Sequence, residues 1–548
     1  MVNERLRGLA SRLRPAPAPG SVSPAAAPSA RPDRPTAAAA DAPADVRPGP
    51  ALPGLRTWVV ASDRTAAGLA AQWDQARATD AAPAGEPPAL LLVEVVDGRP
   101  AGWTADGAAL GALVERALAA GAPLVVWSTS GGPGDVAWLE RAAAVLVADE
   151  RQCGAWAPRE VAVLPVAGSW VARDGEPRGD RALVVGGAAG RKDLAPVTVD
   201  AAQAATLDVG GLARYAALVV DGRVRGAAET VLDAARAGTT PYVLGAVPAG
   251  LPDAVARLVV LVEGDVRDAR HSVRARAAQP ELRDRDAVLL RRASAREGFD
   301  ERAQQLAHAA GLEASRRGRS VSAVVPTNRP DQLDHVLDQL ATQRDVDLEL
   351  VLVLHGITGQ GDRLSGRARE LGLRLEVVEA PVEATLGRCM NLGVDRASGD
   401  LVAKMDDDNH YGPHYLTDLA DALRSSGAGL AGKWAHYVWL RSTGAVVLRY
   451  PDHENRFGTR VQGGSMLFEG DVVRELRFGD HLPRAVDTDI LDRSAAAGVP
   501  IFSADRFGYV SVRGTDRMGH TWTVSDETFL TAAGRLEFFG DPRTHVDV

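Results

Sequence analysis

Residues 401–411 read LVAKMDDDNHY, a short apolar run followed by three consecutive aspartates. The apolar first half of this run predicts a buried strand, which stops at Asp406, Asp407 and Asp408. Three adjacent carboxylates repel one another, and a hard divalent cation that takes oxygen ligands offsets this repulsion. A solvated acidic turn is the simpler explanation when the three aspartates are taken alone. The triplet alone fits both a cation site and an acidic turn, and only the flanking sequence can distinguish them.

Length and composition restrict the class of protein. A chain of 548 residues is too long for one hydrophobic core, so two or more domains are expected. The net charge of −9 argues against nucleic-acid binding, because such domains are strongly basic. Cys153 and Cys389 are too few for a disulfide framework or a thiolate zinc site, which predicts a cytoplasmic protein. The sequence contains no apolar run near the ~20 residues that a membrane-spanning helix needs.

The first 54 residues predict a disordered tail. Residues 3–14 place three leucines on one helical face with arginines around them. Such a face can lie on the inner surface of a membrane or dock on a partner, and a short frayed basic tail is the simpler alternative. Residues 15–54 consist almost entirely of Ala, Pro, Ser, Asp and Arg, which cannot bury enough apolar surface to form a core.

Residues 55–300 alternate short apolar runs with helical patterns. Continuous apolar runs suit parallel strands that are covered on both faces, so one or two doubly wound, Rossmann-like α/β units are expected. The predicted strands lie within residues 57–61, 89–96, 122–129, 143–149, 161–167, 182–187, 216–222 and 240–245.

Part of this region resembles a known family. The run from residue 229 to the arginine-rich segment 271–292 is similar to the C-terminal part of the spore-maturation-type glycosyltransferases. The resemblance implies a GT-B-like architecture of two Rossmann units. Where such enzymes carry an acidic pair, this chain has Glu229 followed mostly by alanines, which favours a non-catalytic domain over a second transferase. The loop 186–192, GGAAGRK, suits either a phosphate cradle or a plain strand-to-helix turn.

A helical linker is expected over residues 301–320, and a second domain over residues 321–548. In this domain, strands alternate with helices, which predicts a nucleotide-binding sheet whose ligand lies at the carboxyl ends of the strands. The predicted strands lie within 321–330, 348–356, 373–380 and 401–405, and a helix over 385–399 is expected to end at Gly399. The turns PTNRP, HG and DDD all fall at the carboxyl edge.

The order of the motifs carries a second resemblance. Residues 320–515 contain VVPTNRP, LELVLVLHG, LGRCMNLG, ASGDLVAKMDDDN, QGGSMLF and VDTDILDR, and in this order they resemble glycosyltransferase family 2. The resemblance implies a GT-A fold with helices on both faces of the sheet, and mostly inverting transfer from nucleotide sugars. One position departs from the family pattern, because His355 stands before Gly356 where members commonly have an acid that contacts the nucleotide base.

The resemblance also implies a role for each matching residue. The residues expected at the donor are Pro326, Thr327, Arg329, Arg388, Asn391 and Asp406. The residues expected at a Mn²⁺ or Mg²⁺ ion are Asp406, Asp408 and His520. The residues expected at the acceptor are Gly463, Gly464 and Ser465. Asp487 is the expected catalytic base, and Asp489 is the fallback.

Structural explanations compete with several of these roles. Asp487 could cap the helix that ends at Gly498. Arg388 could pair only with Glu383 or Asp395, and His520 could be a packed, hydrogen-bonded side chain. An alternating strand over 430–440 explains the tryptophans of that run without a sugar stacked on them.

The sequence therefore predicts a metal-dependent, inverting glycosyltransferase. Its partners would be a nucleotide-sugar donor and a glycan or lipid-linked acceptor, in the synthesis of a bacterial cell-surface glycan and without nucleic acid. A catalytically inactive scaffold and a nucleotidyltransferase on a similar fold are the alternatives. The intact DDD, GGS and DTD motifs argue against the scaffold.

Overall fold

A computed structural model describes most of the chain from Val46 onward. The described residues are 46, 48–134, 137–169, 182–185, 197–199, 209–212, 214–263, 266–313, 319–514, 526–531 and 534–548. The chain divides into Met1–Ala39, all of it outside these residues, and Ala40–Val548, to which everything below refers. His520 and the loop 186–192 also lie outside the described residues.

Two residues at the end of the predicted tail are packed against the rest of the chain. Ala51 and Leu52, which the predicted tail includes, are buried in one cluster with Leu69 and Trp73. The backbone N–H of Leu52 donates a hydrogen bond to the carbonyl of Gln72 at 2.8 Å. Residues 51 and 52 therefore belong to a hydrophobic core, whereas the sequence places them in the tail that ends at residue 54.

Among the described residues, seven strands form the first sheet, in the order β2-β1-β3-β5-β6-β7 with β4 on β3. Neighbours along this path are parallel, as the continuous apolar runs predict. The sequence missed β2 because its residues, DQAR, are polar and lie at the sheet edge. The strands are β1 Arg56–Val60, β2 Asp74–Arg77, β3 Leu90–Val96, β4 Arg99–Pro100, β5 Leu124–Ser130, β6 Ala144–Val147 and β7 Ala162–Val163, and the helices are Asp63–Ala70 and Gly107–Ala119.

A second parallel sheet has five strands within the described residues, in the order β12-β11-β10-β8-β9. Two parallel sheets with helices confirm the α/β class predicted for this region. The strands are β8 Ala182–Val185, β9 Val197–Val199, β10 Ala217–Asp221, β11 Thr240–Leu244 and β12 Val260–Val262. The helices are Val209–Leu212, Ala227–Ala237, Asp253–Ala256, Val266–Ala277, Pro280–Ser294 and Phe299–Ala309.

The third sheet carries the aspartate triplet. Its eight described strands follow the order β15-β14-β13-β16-β22-β18-β23-β21. The four strands β13 to β16 are parallel, and β22 joins β16 antiparallel. The strands are β13 Val321–Thr327, β14 Leu348–His355, β15 Arg374–Ala380, β16 Leu401–Met405, β18 Leu430–Gly432, β21 Arg456–Gly458, β22 Ser465–Glu469 and β23 Ile501–Ser503.

Helices cover both faces of this sheet, as predicted. Along β13, Ala323 packs in one apolar cluster with Leu337 and Leu419, whereas Val324 packs in the other with Met390 and Ile490. This alternation is what a strand covered on both sides produces. The helix predicted to end at Gly399 ends at Arg396 instead. The helices are Leu333–Ala341, Gly361–Glu370, Leu386–Arg396, Tyr415–Ser426, Gly470–Leu476 and Val486–Ala496.

A fourth sheet begins immediately after the aspartates. Its described strands follow the order β17-β24-β19-β20-β25. The single strand predicted over residues 430–440 is divided between two sheets, with β18 in the third and β19 in the fourth. The strands are β17 His410–Tyr411, β19 His436–Leu440, β20 Ala445–Arg449, β24 Tyr509–Arg513 and β25 Arg535–Phe539, and the short helices are Asp526–Thr531 and Arg543–Val546.

The helix Pro280–Ser294 contacts the third-sheet region through its arginines. Arg292 makes two hydrogen bonds with the carboxylate of Asp418, at 2.8 and 2.7 Å. Both side chains are largely buried, with 16% and 14% of their surface exposed. Arg291 donates to Asn455 at 3.1 Å. A buried ion pair of this kind makes the removal of one partner costly, because the other charge is left uncompensated.

We expect Asp418→Ala to lower the free energy of unfolding by about 3 kcal/mol, because Arg292 is left buried without a carboxylate. Urea denaturation measures this loss. The matched control is Asp338→Ala, which also removes a carboxylate that is in direct contact with an arginine, here Arg367. Because that pair is exposed, its loss should change the free energy of unfolding little. Equal effects of the two substitutions would contradict a structural role for the buried pair.

Candidate functional site

The aspartate turn lies between two other turns at the edge of the third sheet. Strand β16 ends at Met405, which pairs with Ser465 at the start of β22. On its other side, β16 runs parallel to β13, which ends at Thr327. The PTNRP turn and the QGGS turn therefore flank the three aspartates, one on each side.

Asp407 is the structural member of the triplet. Its buried carboxylate accepts hydrogen bonds from Thr327 Oγ1 and from the guanidinium of Arg329, whose Nε lies 3.0 Å away. Arg329 also contacts Asp408 Oδ2 at 2.9 Å. Thr327 and Arg329, both predicted at the donor, thus fasten the triplet to the end of β13.

The environment of Asp408 disfavours its charged form, although Arg329 is in contact with it. Burial raises the pKa of Asp408, and the neighbouring Asp406 carboxylate raises it further. The bond from Arg329 opposes these effects without cancelling them. A divalent cation between Asp406 and Asp408 would relieve the repulsion, and carboxylate oxygens are the ligands that Mg²⁺ and Mn²⁺ take.

The charge of the site agrees with a divalent cation. Four carboxylates (Asp406, Asp407, Asp408 and Asp487) face two cations, Lys404 and Arg329, in this network, which leaves two negative charges. Within the described ranges, no three His, Cys, Asp or Glu side chains are grouped to hold a metal ion by themselves. Two carboxylates with oxygens from a substrate are a sufficient ligand set.

Lys404 connects the aspartate turn to Asp487. Its side chain is 2% exposed, and Nζ lies 2.8 Å from Asp406 Oδ1 and 3.3 Å from Asp487 Oδ1. Nζ also donates a hydrogen bond to the carbonyl of Gly463 at 3.0 Å. Burial alone would lower the pKa of Lys404, but Asp406 and Asp487 outweigh burial and raise it. The two carboxylates therefore share one buried ammonium group.

The two glycines of the QGGS turn separate these carboxylates. A Cβ atom on Gly463 would overlap Asp487 Oδ2, and one on Gly464 would overlap Asp406 Oδ2. Only glycine permits such a close approach of the backbone to a side chain. Gly463 and Gly464 thus present a backbone surface with one carboxylate on either side.

Tyr411 and Asn409 hold Asp406 in place. The buried hydroxyl of Tyr411 accepts a hydrogen bond from the N–H of Asp406 at 2.8 Å and donates one to the carbonyl of Gly464 at 2.7 Å. Asn409 Nδ2 donates to Asp406 Oδ2 at 3.3 Å, and its Oδ1 accepts from Val512 N–H at 3.1 Å. None of Lys404, Tyr411 and Asn409 was among the residues predicted for the site. A lysine inside an otherwise apolar strand was the available signal.

Two of the predicted site residues form hydrogen bonds within the protein. Asn391, expected at the donor, is buried, and its amide exchanges two hydrogen bonds of 2.9 Å with the backbone of Phe478. Ser465, expected at the acceptor, donates to the carbonyl of Gln462 and accepts from the N–H of Lys433. These polar groups are used within the protein, and the assignment of the two residues to substrates stays a prediction.

Other predicted residues are placed as follows. The helix Val486–Ala496 has Ala485 as its N-cap, so the capping explanation for Asp487 is wrong. Asp489, the fallback base, is paired with Arg493 at 2.7 Å. Arg388 is exposed near the start of the helix Leu386–Arg396, whereas Asp395, its suggested partner, pairs with Arg477.

A cavity of about 1090 Å³ opens beside Asp408. Its wall includes Arg329, Trp439 and Arg441, and the guanidinium of Arg441 lies over the Trp439 ring at 5.2 Å. On the other side of the sheet edge, His355 Nε2 donates to the carbonyl of Val382 at 3.0 Å. The aspartate turn is thus open to a space large enough for a nucleotide-sized ligand.

One family model matches the part of the chain that contains this site. Residues 322–471 match the family described as Glycosyl transferase family 2. The match confirms, for these residues, the family predicted from the motif order, and it identifies this region as a glycosyltransferase domain. None of the curated proteins matches the chain.

Solved structures give weaker likenesses. S. aureus TarS is 17% identical, with a TM-score of 0.29 over 35% of this chain and 37% of that one. TarS 1–349 in complex with UDP-GlcNAc is 18% identical, with a TM-score of 0.31 over 38% and 63%. The mannosyltransferase PcManGT from Pyrobaculum calidifontis, in complex with GDP-Man and Mn²⁺, is 20% identical, with a TM-score of 0.30 over 37% and 59%. The chain spans less than two thirds of each of these structures.

We expect Gly464→Ala to abolish most of the activity of the site while the fold is retained, because its methyl group would displace the Asp406 carboxylate. Turnover of a nucleotide sugar, measured beside circular dichroism, tests this. Gly458→Ala is the matched control, since a Cβ at that strand position meets open space. Full turnover in the Gly464 variant would show that the position of Asp406 is not critical.

Proposed function

We propose that residues 321–548 form a metal-dependent glycosyltransferase that moves a sugar from a nucleoside diphosphate to an acceptor hydroxyl with inversion. The observation that carries the proposal is the placement of Asp406 and Asp487 on opposite sides of the Gly463–Gly464 turn, with Lys404 between them. A donor-binding carboxylate and a separate base are what this reaction requires on either side of one sugar.

The donor diphosphate would lie at Asp406 and Asp408, beside the cavity. These two side chains are the proposed ligands of a Mg²⁺ or Mn²⁺ ion, with His520 a further candidate outside the described residues. The chemistry that such an ion supplies when bound is neutralisation of the charge that grows on the leaving diphosphate. Arg329 holds Asp407 and Asp408 from the β13 side and adds a fixed positive charge to this end of the site.

Asp487 is the proposed base. Its carboxylate is partly exposed, with one oxygen toward Lys404 and the other beside Gly463, so a hydroxyl can reach it. The acceptor oxygen would form a bond to the anomeric carbon as its proton passes to Asp487. The bond from that carbon to the diphosphate oxygen breaks, and the nucleoside diphosphate leaves with the electron pair. Attack from the side opposite the leaving group inverts the configuration.

The remaining assignments follow from the same geometry. Pro326 and Arg388 stay as proposed donor contacts, and the glycine turn as the proposed acceptor surface. The nucleotide base is left unassigned, because His355 is bonded to a backbone carbonyl where the family pattern has an acid. We propose that the two N-terminal sheets serve as a scaffold or acceptor-binding region.

The cellular setting is also a proposal. Among the described residues, no helix combines the length and the apolar character needed to cross a membrane. Residues 3–14, the predicted membrane-surface segment, lie outside the described residues. A role at the cytoplasmic face in cell-surface glycan synthesis, with a glycan or lipid-linked acceptor, therefore rests on the sequence alone.

Asp408→Ala should abolish metal-dependent transfer and leave the fold intact, because the more buried of the two proposed metal ligands is lost. A thermal-shift panel of nucleoside diphosphates with Mn²⁺ should stabilise the wild-type chain and not the variant. The control is Asp471→Ala, at a fully exposed carboxylate near the start of another helix. Full turnover in the Asp408 variant would contradict the metal assignment. A flat response of the wild type across the panel would favour the inactive scaffold.

Asp487→Asn should keep donor binding and lose transfer, since the amide has nearly the same shape but cannot accept the proton. We expect kcat to fall by at least about 100-fold, within the range of a lost general base. Asp492→Asn, in the same helix and paired at the surface with Arg460, controls for the substitution itself. An unchanged kcat would remove Asp487 from the mechanism.

A further inference from the structure

The chain uses lysine very sparingly. Of its 62 basic Lys and Arg residues, three are lysines, at positions 192, 404 and 433. The two that the structure describes, Lys404 and Lys433, are each only 1% exposed. Lysine is therefore used at two interior positions, while arginine serves nearly everywhere else.

The contacts of Lys404 come from three separate elements. Asp406 belongs to the turn after β16, Asp487 to the first turn of the helix Val486–Ala496, and Gly463 to the turn before β22. Because Asp406 Oδ1 and Asp487 Oδ1 touch the same nitrogen at 2.8 and 3.3 Å, they lie no more than 6.1 Å apart. Two carboxylates at that separation repel each other unless a cation stands between them.

The shape of an ammonium group suits this position. Its three N–H donors spread tetrahedrally, so one nitrogen can serve three acceptors that converge from different directions. A guanidinium is planar, larger and directional, and it suits two parallel bonds to one carboxylate. Arg329 shows that second geometry on Asp407 in the same site. Lysine therefore suits position 404, where one nitrogen contacts three separate elements. Arginine suits position 329, where the guanidinium makes two bonds to one carboxylate.

We propose that Lys404 is a positioning residue that fixes the separation between the donor carboxylate Asp406 and the base Asp487 across the glycine turn. This inference rests on the proposed function, because it assigns the two carboxylates to the two substrates. Lys404 is enclosed beneath the turn and touches no substrate. Lys404 affects turnover because it determines the positions of the Asp406 and Asp487 carboxylates.

A purely structural role predicts a different result. If Lys404 only offsets buried charge, its loss lowers stability and leaves the properties of the remaining active enzyme unchanged. If it positions the carboxylates, its loss lowers kcat more than it weakens donor binding, since a displacement of about 1 Å costs about 100-fold in rate.

The test compares Lys404→Met, Lys404→Arg and Lys433→Met in the full chain. Lys433→Met is the matched control, because it also removes a buried ammonium group, here from a contact of 3.1 Å with Asp505 outside the site. For each variant, kcat, the KM of the nucleotide sugar, stabilisation by Mn²⁺ with a nucleoside diphosphate, and urea denaturation are measured.

We expect Lys404→Met to lower kcat by about 100-fold, with the KM of the nucleotide sugar and the stabilisation by the nucleotide little changed. Lys404→Arg should recover kcat only in part, because it restores the cation but the larger group shifts the turn. Lys433→Met should lose stability and keep the kcat of the wild type. If Lys404→Met does not fold, a well-folded Lys404→Arg with a tenfold lower kcat supports the inference, and one with wild-type kcat overturns it.

The outcomes separate the inference from the function on which it rests. A wild-type chain without turnover or metal-dependent stabilisation overturns the proposed function and the inference together. An active wild type with an equally active Lys404→Met overturns the inference alone, as does an equal fall of kcat in Lys433→Met.

Discussion

Repulsion within the aspartate triplet is the constraint on which this site depends. Three consecutive carboxylates follow a fully buried strand, and the protein places each in a different environment. Asp407 turns inward to Thr327 and Arg329, Asp406 contacts Lys404, and Asp408 borders the cavity. Cations on both sides offset part of the repulsion, and Arg329 pairs with Asp408 at the open edge without restoring its ordinary pKa. A carboxyl group whose pKa is raised by burial and by a neighbouring carboxylate, at the mouth of a cavity, is typical of a functional site.

The glycine turn leaves room for two substrates between the carboxylates of Asp406 and Asp487. Any side chain at Gly463 or Gly464 would fill the space that Asp487 and Asp406 occupy. The backbone can therefore come close to both carboxylates, and the Tyr411 hydroxyl bonds the turn to the start of the triplet. A donor on one side and an acceptor on the other would meet over a surface without side chains, which leaves room for the sugar that is transferred.

Local patterns in the sequence were enough to predict the parallel strands β13 to β16 and the alignment of the strand-end turns. The helices on both faces and the roles of Asp406, Asp408, Asp487 and the two glycines came from the resemblance to a family. Sequence patterns could not show which polar groups the protein uses internally, such as those of Asn391 and Ser465. Lys404 was overlooked for the same reason, because two of its three partners lie in a turn 59 residues and a helix 83 residues further along the chain. Such contacts depend on tertiary packing, which no short run of sequence encodes.

The second buried lysine connects the glycine turn to the N-terminal part of the chain. The backbone N–H of Lys433 donates to Ser465, and its ammonium group contacts Asp505. The next residue, Arg506, pairs with Asp284 on the helix Pro280–Ser294 at 3.0 Å, and also with Glu454. Because these charges are largely buried, loss of any one leaves a partner uncompensated. The arginine-rich helix is therefore part of the structure that supports the site, whether or not the two N-terminal sheets carry out chemistry of their own.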